Sequence, residues 1–307
     1  MNLRLLIFPL LIFLGGCCYG PTSPIIKLAY AAGYSWNDVV MSKYFFGWMI
    51  LLVVVVGFFL FRWMKKRPTV QITDPKPLVR RILGVVFAGI CIGLVTVTSC
   101  LCLQTIPAYI TVILLFQFTW MGVVIQMIAE RKLPELKYVI SVVILVIGTF
   151  LAAGFSGLEA PLDPLGVIFG LLSALFYALY IFMLGRVAVG MHPLNKSFLI
   201  ISTTLLLLTL IFGSQYFIEG TFATGIWEYG LILGLMGCVL PMVLFAIATP
   251  WVSTGAATIL CSSELPASII CVVLILGESV SLIQCVGIAL VLFGIALPQY
   301  KKEATSE

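Results

Sequence analysis

The sequence predicts an all-α membrane protein: ten transmembrane helices forming two inverted five-helix repeats, both termini on the cytoplasmic side. Three observations carry this. Of the 307 residues 62% are hydrophobic and only 9% charged, with a mean hydropathy of +1.20. A soluble domain carries about 25% charged residues, so this chain has too little polar surface to cover a water-facing globule. The apolar residues also fall in long unbroken runs, and crossing the hydrocarbon core as a helix takes roughly 20 of them. Ten such spans consume about 200 residues and leave no room for a soluble domain of useful size. The runs lack the alternating pattern of an outer-membrane barrel. Finally, the basic residues are segregated by loop.

Span one covers about 5–27. Arg4, an apolar stretch and Leu14-Gly15-Gly16-Cys17 imitate a secretory signal ending in a lipid-modified cysteine. The run continues through Cys18-Tyr19-Gly20-Pro21 to Ile26, so it is read as the first helix. Span two, 38–61, ends in the densest basic stretch, Arg62 to Arg67, followed by Lys76, Arg80 and Arg81 before span three at 82–104. Spans four (108–129) and five (137–155) flank Arg131, Lys132 and Lys137. Span six (165–185) meets Arg186, span seven (197–214) follows Lys196, and spans eight (229–249), nine (254–276) and ten (281–299) precede Lys301 and Lys302.

With the N-terminus inside, 15 of the 17 Lys and Arg fall on the cytoplasmic side, as the positive-inside bias requires. The other two, Lys27 and Lys43, lie near the outer ends of spans one and two, where long side chains snorkel. Outer loops carry Glu159, Asp163, Glu219 and Glu228 and no Lys or Arg. The net charge of +5 is therefore a topology signal and not a nucleic-acid footprint. Tyr44, Trp48, Trp63, Trp227, Tyr229 and Tyr300 fall near span ends and read as interfacial belt residues. The nine cysteines show no Cys-x-x-Cys spacing and His192 is the only histidine, so zinc or redox chemistry has no ligand set and no cofactor is expected.

An internal repeat is visible. Span four runs into Ala129-Glu130-Arg131-Lys132-Leu133, and span nine into Gly277-Glu278-Ser279-Val280-Ser281. Cys18-Tyr19-Gly20 in span one matches Phe176-Tyr177-Ala178 in span six. The halves are taken as 1–155 and 156–307, five spans each. An odd number of spans inverts the second half, the arrangement of secondary transporters with a midplane site.

In the order and duplication of these motifs the chain resembles a ten-helix, EamA-type member of the drug/metabolite transporter superfamily, from about Leu5 to Leu297. Tyr19 and Tyr177 stand where the family often has Trp, and Ser263-Glu264-Leu265-Pro266 where Glu-Pro is commoner. The resemblance implies a carrier that exports amino acids, metabolites or drugs without ATP, and no G-x-x-x-x-G-K-[ST] loop is present.

The chemistry must come from polar and aromatic groups at mid-depth. Glu264 is the eleventh residue of a 23-residue span. A charge there costs about 2.5–3.5 kcal/mol on insertion scales, and intramembrane carboxylates usually face a cavity. Glu264 is either a proton acceptor or counter-charge for a ligand, or a neutral, hydrogen-bonded structural group. Pro266 removes a backbone bond and frees a carbonyl near Ser262, which suits a gating helix. Gln117 and Trp120, in the repeat counterpart of this stretch, offer an amide and an indole. Tyr19 and Tyr177 either turn their hydroxyls to substrate or fill helix interfaces. Tyr180 shares a helix face with Tyr177, and Tyr109 is a weaker candidate. Glu130 and Glu278 are expected to cap helix ends and pair with loop groups.

No Lys or Arg is placed at mid-depth, which disfavours phosphate-bearing substrates. One carboxylate among aromatic rings suits a neutral, zwitterionic or cationic molecule. The expected function is a secondary carrier exporting a small amino-acid-like or amphipathic metabolite, with proton coupling through Glu264 as an option. Alternatives are an uptake carrier for a quaternary-ammonium metabolite and, more distantly, a membrane-embedded enzyme or receptor module. Expected partners are the substrate and the lipid bilayer, with a homodimer allowed and no nucleic acid. The expected location is a cell membrane of the bacterial plasma-membrane type.

Overall fold

A computed structural model of the chain describes residues 3–64, 77–106, 108–153, 163–212, 215–277 and 281–299. Arg67, Thr69, Lys76, Glu159, Glu278, Tyr300, Lys301 and Lys302 lie outside these residues, as do the side chains of Arg4, Arg62 and Tyr109.

Every described element is helical: α1 (Leu3–Cys18), α2 (Thr22–Ala31), α3 (Trp36–Met64), α4 (Leu78–Thr105), α5 (Ala108–Leu115), α6 (Phe118–Glu130), α7 (Leu136–Ala153) and α8 (Pro164–Arg186), then α9 (Pro193–Phe212), α10 (Gln215–Ile218), α11 (Ile226–Gly234), α12 (Leu240–Ala248), α13 (Thr254–Cys261), α14 (Glu264–Leu276) and α15 (Leu282–Ala296). Eight segments among the described residues are long and apolar enough to cross a membrane. They coincide with predicted spans one to four and six to nine. Predicted spans five and ten fall on the shorter apolar helices Leu136–Ala152 and Leu282–Ala296.

Local chemistry sets several ends. Asp163 accepts from the Leu165 backbone N–H (3.3 Å) with Pro164 opening α8, where its missing N–H is harmless. Ser281 and Gln284 form a capping box at the start of α15. At the far end of α8 the ammonium of Lys196, only 2% exposed, donates to the Leu184 carbonyl at 2.5 Å. A cation there also opposes the negative pole of the helix dipole.

Lipid gives helices no hydrophobic reason to associate, so close packing at small residues does the work. A Cβ on Gly234 of α11 would stand 2.5 Å from the Gly47 nitrogen of α3. One on Gly148 of α7 would stand 2.9 Å from the Val291 nitrogen of α15, so the two short apolar helices pack backbone to backbone.

Three spans are broken in the middle. The first breaks at Tyr19-Gly20-Pro21 between α1 and α2. The other two match: α5 and α13 have eight residues each, α6 and α14 thirteen each, with two turn residues between. Their backbone bonding matches too. Thr119 N–H bonds Phe116 O and Leu265 N–H bonds Ser262 O, both at 3.2 Å, and Met121 to Gln117 mirrors Ala267 to Ser263. A π-helical turn, Leu235–Val239, interrupts the segment between α11 and α12 just before Pro241.

Pro266 therefore acts differently from the sequence expectation. The break precedes it at Ser262-Ser263, and Pro266 sits in the first turn of α14, where it removes no intrahelical bond. The Ser262 carbonyl is not left free, since it accepts from Leu265.

Candidate functional site: a charged and tyrosine-lined interior at the helix breaks

Glu264 is the first residue of α14, and its side chain is half-buried. The N-terminal pole of a thirteen-residue helix favours negative charge at this position. The Glu264 carboxyl has no hydrogen bond or ion pair among the described residues. The equivalent first residue of α6 is Phe118, fully buried, with its ring 4.7 Å from that of Tyr177. The two broken helices cross where Gly122 meets Thr258, whose hydroxyl donates to the Thr119 carbonyl at 3.3 Å.

The break in the first span packs against the start of α14. A Cβ on Gly20 would lie 2.8 Å from the Ala267 backbone, and one on Gly16 would collide with the Ser263 hydroxyl. That hydroxyl donates to the Phe13 carbonyl at 2.7 Å, tying α1 to the second break. Tyr19 is 8% exposed and lies 6.4 Å, ring to ring, from Phe245 of α12. Tyr177 and Tyr180 are buried and their rings stack at 6.2 Å. The Tyr180 hydroxyl has no hydrogen-bond partner among the described residues. Tyr177 thus joins Phe118 and Tyr180 in one aromatic group, while Tyr19 pairs with Phe245.

Gln117 and Trp120 are arranged differently. The Trp120 indole donates to the Gln117 amide oxygen at 3.0 Å, and the Gln117 amide nitrogen donates to the Ile113 carbonyl at 2.9 Å. Trp120 is 38% exposed. Their polar groups are spent on the break in the fourth span and not directed to the tyrosines. They stand three residues apart, so one helix face pairs them locally.

Two residues read from the sequence as interfacial belong to the interior. Tyr44 is 2% exposed and its hydroxyl shares a 2.9 Å hydrogen bond with that of Thr96. Lys43 does not snorkel outward. Its ammonium lies 5.7 Å from the centre of the Tyr19 ring and 5.4 Å from that of Tyr44, with its stem over Gly237. The absence of interior cations, used above to set aside anionic groups, is corrected by this one residue. The only available signal was its position several residues inside span two.

At one end of the bundle a polar ladder closes the same helices. Arg186 of α8 donates to Glu130 of α6 at 2.8 Å, and Gln126 of α6 donates to the other Glu130 oxygen at 3.1 Å. The Gly255 N–H of α13 donates to Gln126 at 2.6 Å. Glu130 is expected from the sequence to cap a helix end and pair with loop groups; its partners are instead Arg186, the last residue of α8, and Gln126 within α6. The Trp251 ring stacks on Phe8 of α1 at 5.2 Å. A cavity of about 300 Å³ lies here, lined by Glu130, Arg186, Trp251 and Thr254 among others.

Residues 164–298 match the EamA-like transporter family. They form an EamA-like transporter domain. This stretch contains Tyr177, Tyr180, Glu264 and Pro266, and the family it resembles is one of transporters. The uncharacterized transporter sll1319 of Synechocystis sp. is 26% identical over 241 residues, covering 77% of this chain and 72% of that protein. A solved crystal structure of a protein covers 94% of this chain and 96% of its own with a TM-score of 0.68. At 13% identity it speaks for the fold alone.

Proposed function

We propose that this EamA-like transporter is a ten-pass secondary carrier of two inverted five-helix halves, 1–155 and 156–307, with both termini inside. It would export a small amino-acid-like or amphipathic metabolite across a cell membrane of the bacterial plasma-membrane type in exchange for protons. The observation that carries this reading is Glu264, a carboxyl at the first residue of a broken half-helix, with no hydrogen bond or ion pair among the described residues. Half-helix ends at mid-depth are where carriers hold charged groups. The matching breaks at 116–117 and 262–263 support the repeat. Export is carried by the family resemblance.

In this reading Tyr19, Tyr177 and Tyr180 wall the substrate and Glu264 exchanges it for a proton. With the proton on, the carboxyl donates a hydrogen bond; with it off, it accepts one or pairs with an ammonium group. Pro266 stiffens the first turn of α14, so that motion concentrates at Ser262-Ser263. Basic residues put the Glu130–Arg186 ladder on the cytoplasmic side, where it seals the carrier; opening inward requires breaking it. The interior Lys43 disfavours a permanent cation as substrate, which sets the quaternary-ammonium alternative behind the zwitterionic one.

The test is transport into sealed vesicles across a panel of amino acids, polyamines and quaternary amines. Accumulation of a panel member that depends on the protein and on a pH gradient supports the proposal. A panel that crosses no faster than in protein-free vesicles refutes it.

A further inference from the structure

Resting on the carrier reading, in which the Glu130–Arg186 ladder is the inner closure, we infer that Lys196 is a positioning residue for that closure. By tying the last turn of α8 to α9, Lys196 holds Arg186 where it meets Glu130.

The last carbonyls of a helix have no intrahelical donor. That of Leu184 receives one from the Lys196 ammonium, which reaches across from the first turn of α9. An exposed lysine at this point of the chain would serve the positive-inside bias equally well, and a lysine only 2% exposed is rare unless it holds something. What it holds lies two residues before Arg186, whose guanidinium sits 4.4 Å over the Phe182 ring and donates to Glu130 at 2.8 Å. Beyond Arg186 the chain leaves through extended Val187 and buried Ala188 at φ +48°. A left-handed non-glycine residue persists only where its surroundings fix it. Val187 is wedged against Gly84 of α4, which has no room for a Cβ, and a Cβ on Gly185 would stand 2.9 Å from the Thr249 carbonyl. The end of α8 is thus set by α4, by α9 and by the turn before α13. Glu130 stands opposite on α6, which follows the break at 116–117 and is tied to α13 through Gln126 and Gly255. The ladder therefore has a fixed side and a hinged side. A half-exposed ion pair gains little and costs side-chain entropy to hold one geometry, so slack in the fixed side tells on it directly.

The test uses the full chain in lipid nanodiscs. It reads the rate at which a water-soluble maleimide labels Ser253→Cys, in the cavity beside the ladder, above the background of the native cysteines. Rates are compared equally far below each variant's melting temperature. Arg186→Met sets the ceiling of the effect. Lys196→Met should speed labelling about threefold in the parent and not at all where Arg186→Met is already present. Leu208→Ala, fully buried further along α9, lowers stability away from the end of α8 and should leave the rate unchanged. Equal acceleration by Lys196→Met and Leu208→Ala would make Lys196 a structural residue and overturn the inference. Acceleration by Lys196→Met that persists in full without Arg186 overturns it too, because the effect then bypasses the ladder. An unchanged rate in Lys196→Met also overturns it. If Arg186→Met changes nothing either, the ladder is not the closure, and the vesicle panel decides separately whether the chain is a carrier.

Discussion

Replacing Glu264 by Gln tests proton coupling, because an amide at this position can neither take up nor release a proton. Glutamine keeps the size and imitates the protonated acid. The carboxyl has no hydrogen bond or ion pair among the described residues, so little folding energy is at stake. What is lost is its attraction to the N-terminal pole of α14, typically 0.3–1 kcal/mol. Melting should therefore shift by only a few degrees, and insertion into the membrane should be normal. Transport is where the loss appears. One pH unit across the membrane supplies about 1.4 kcal/mol per proton, enough for roughly tenfold accumulation in one-for-one exchange. Reconstituted vesicles with acid on the side that receives substrate should show this gradient-driven accumulation for the parent. For Glu264→Gln the ratio should fall to one, whereas exchange of labelled for unlabelled substrate continues. Accumulation by the variant equal to that of the parent would refute the coupling role and leave Glu264 a structural group.

Four further outcomes are expected. A membrane-impermeant thiol reagent applied to intact cells should label a cysteine introduced at Glu219 and not one at Thr69; labelling at position 69 would overturn the orientation. Tyr19→Ala and Tyr177→Ala should each weaken substrate binding severalfold without loss of insertion, and normal affinity in both would demote the pair to packing. Arg186→Met should speed labelling of a cysteine at Ser253 from the cytoplasmic side. The ion pair is half-exposed, 39% on each side chain, so its worth is at most about 1 kcal/mol and the acceleration about fivefold at most. Lys196→Met leaves the Leu184 carbonyl without its buried donor and should cost about 1–3 kcal/mol, read as a lower melting temperature in detergent; an unchanged melting temperature would show that the cap contributes nothing.

The sequence by itself marked the eight segments long enough to span, because a bilayer of fixed thickness demands apolar runs of fixed length and any such run is visible in one dimension. Nine of the ten predicted spans start or end within a few residues of the helices found, and 254–276 coincides with α13 and α14 together. It also located Glu264, since one carboxyl inside such a run has few structural excuses, and it marked Tyr19 and Tyr177 through the repeat. The packing decided where side chains point. Gln117 and Trp120 lay at the depth expected of a site, yet they bond each other, because residues three apart share a helix face. Lys43 sat where a lysine can either snorkel outward or turn inward. Which it does depends on Tyr19, in the break after α1, and on the close approach of Gly237, neighbours that only the fold supplies. Tyr44 left the interface for the same reason, through Thr96 on α4. Depth in a membrane follows from counting residues along one helix, whereas direction around that helix is set by neighbours remote in the chain.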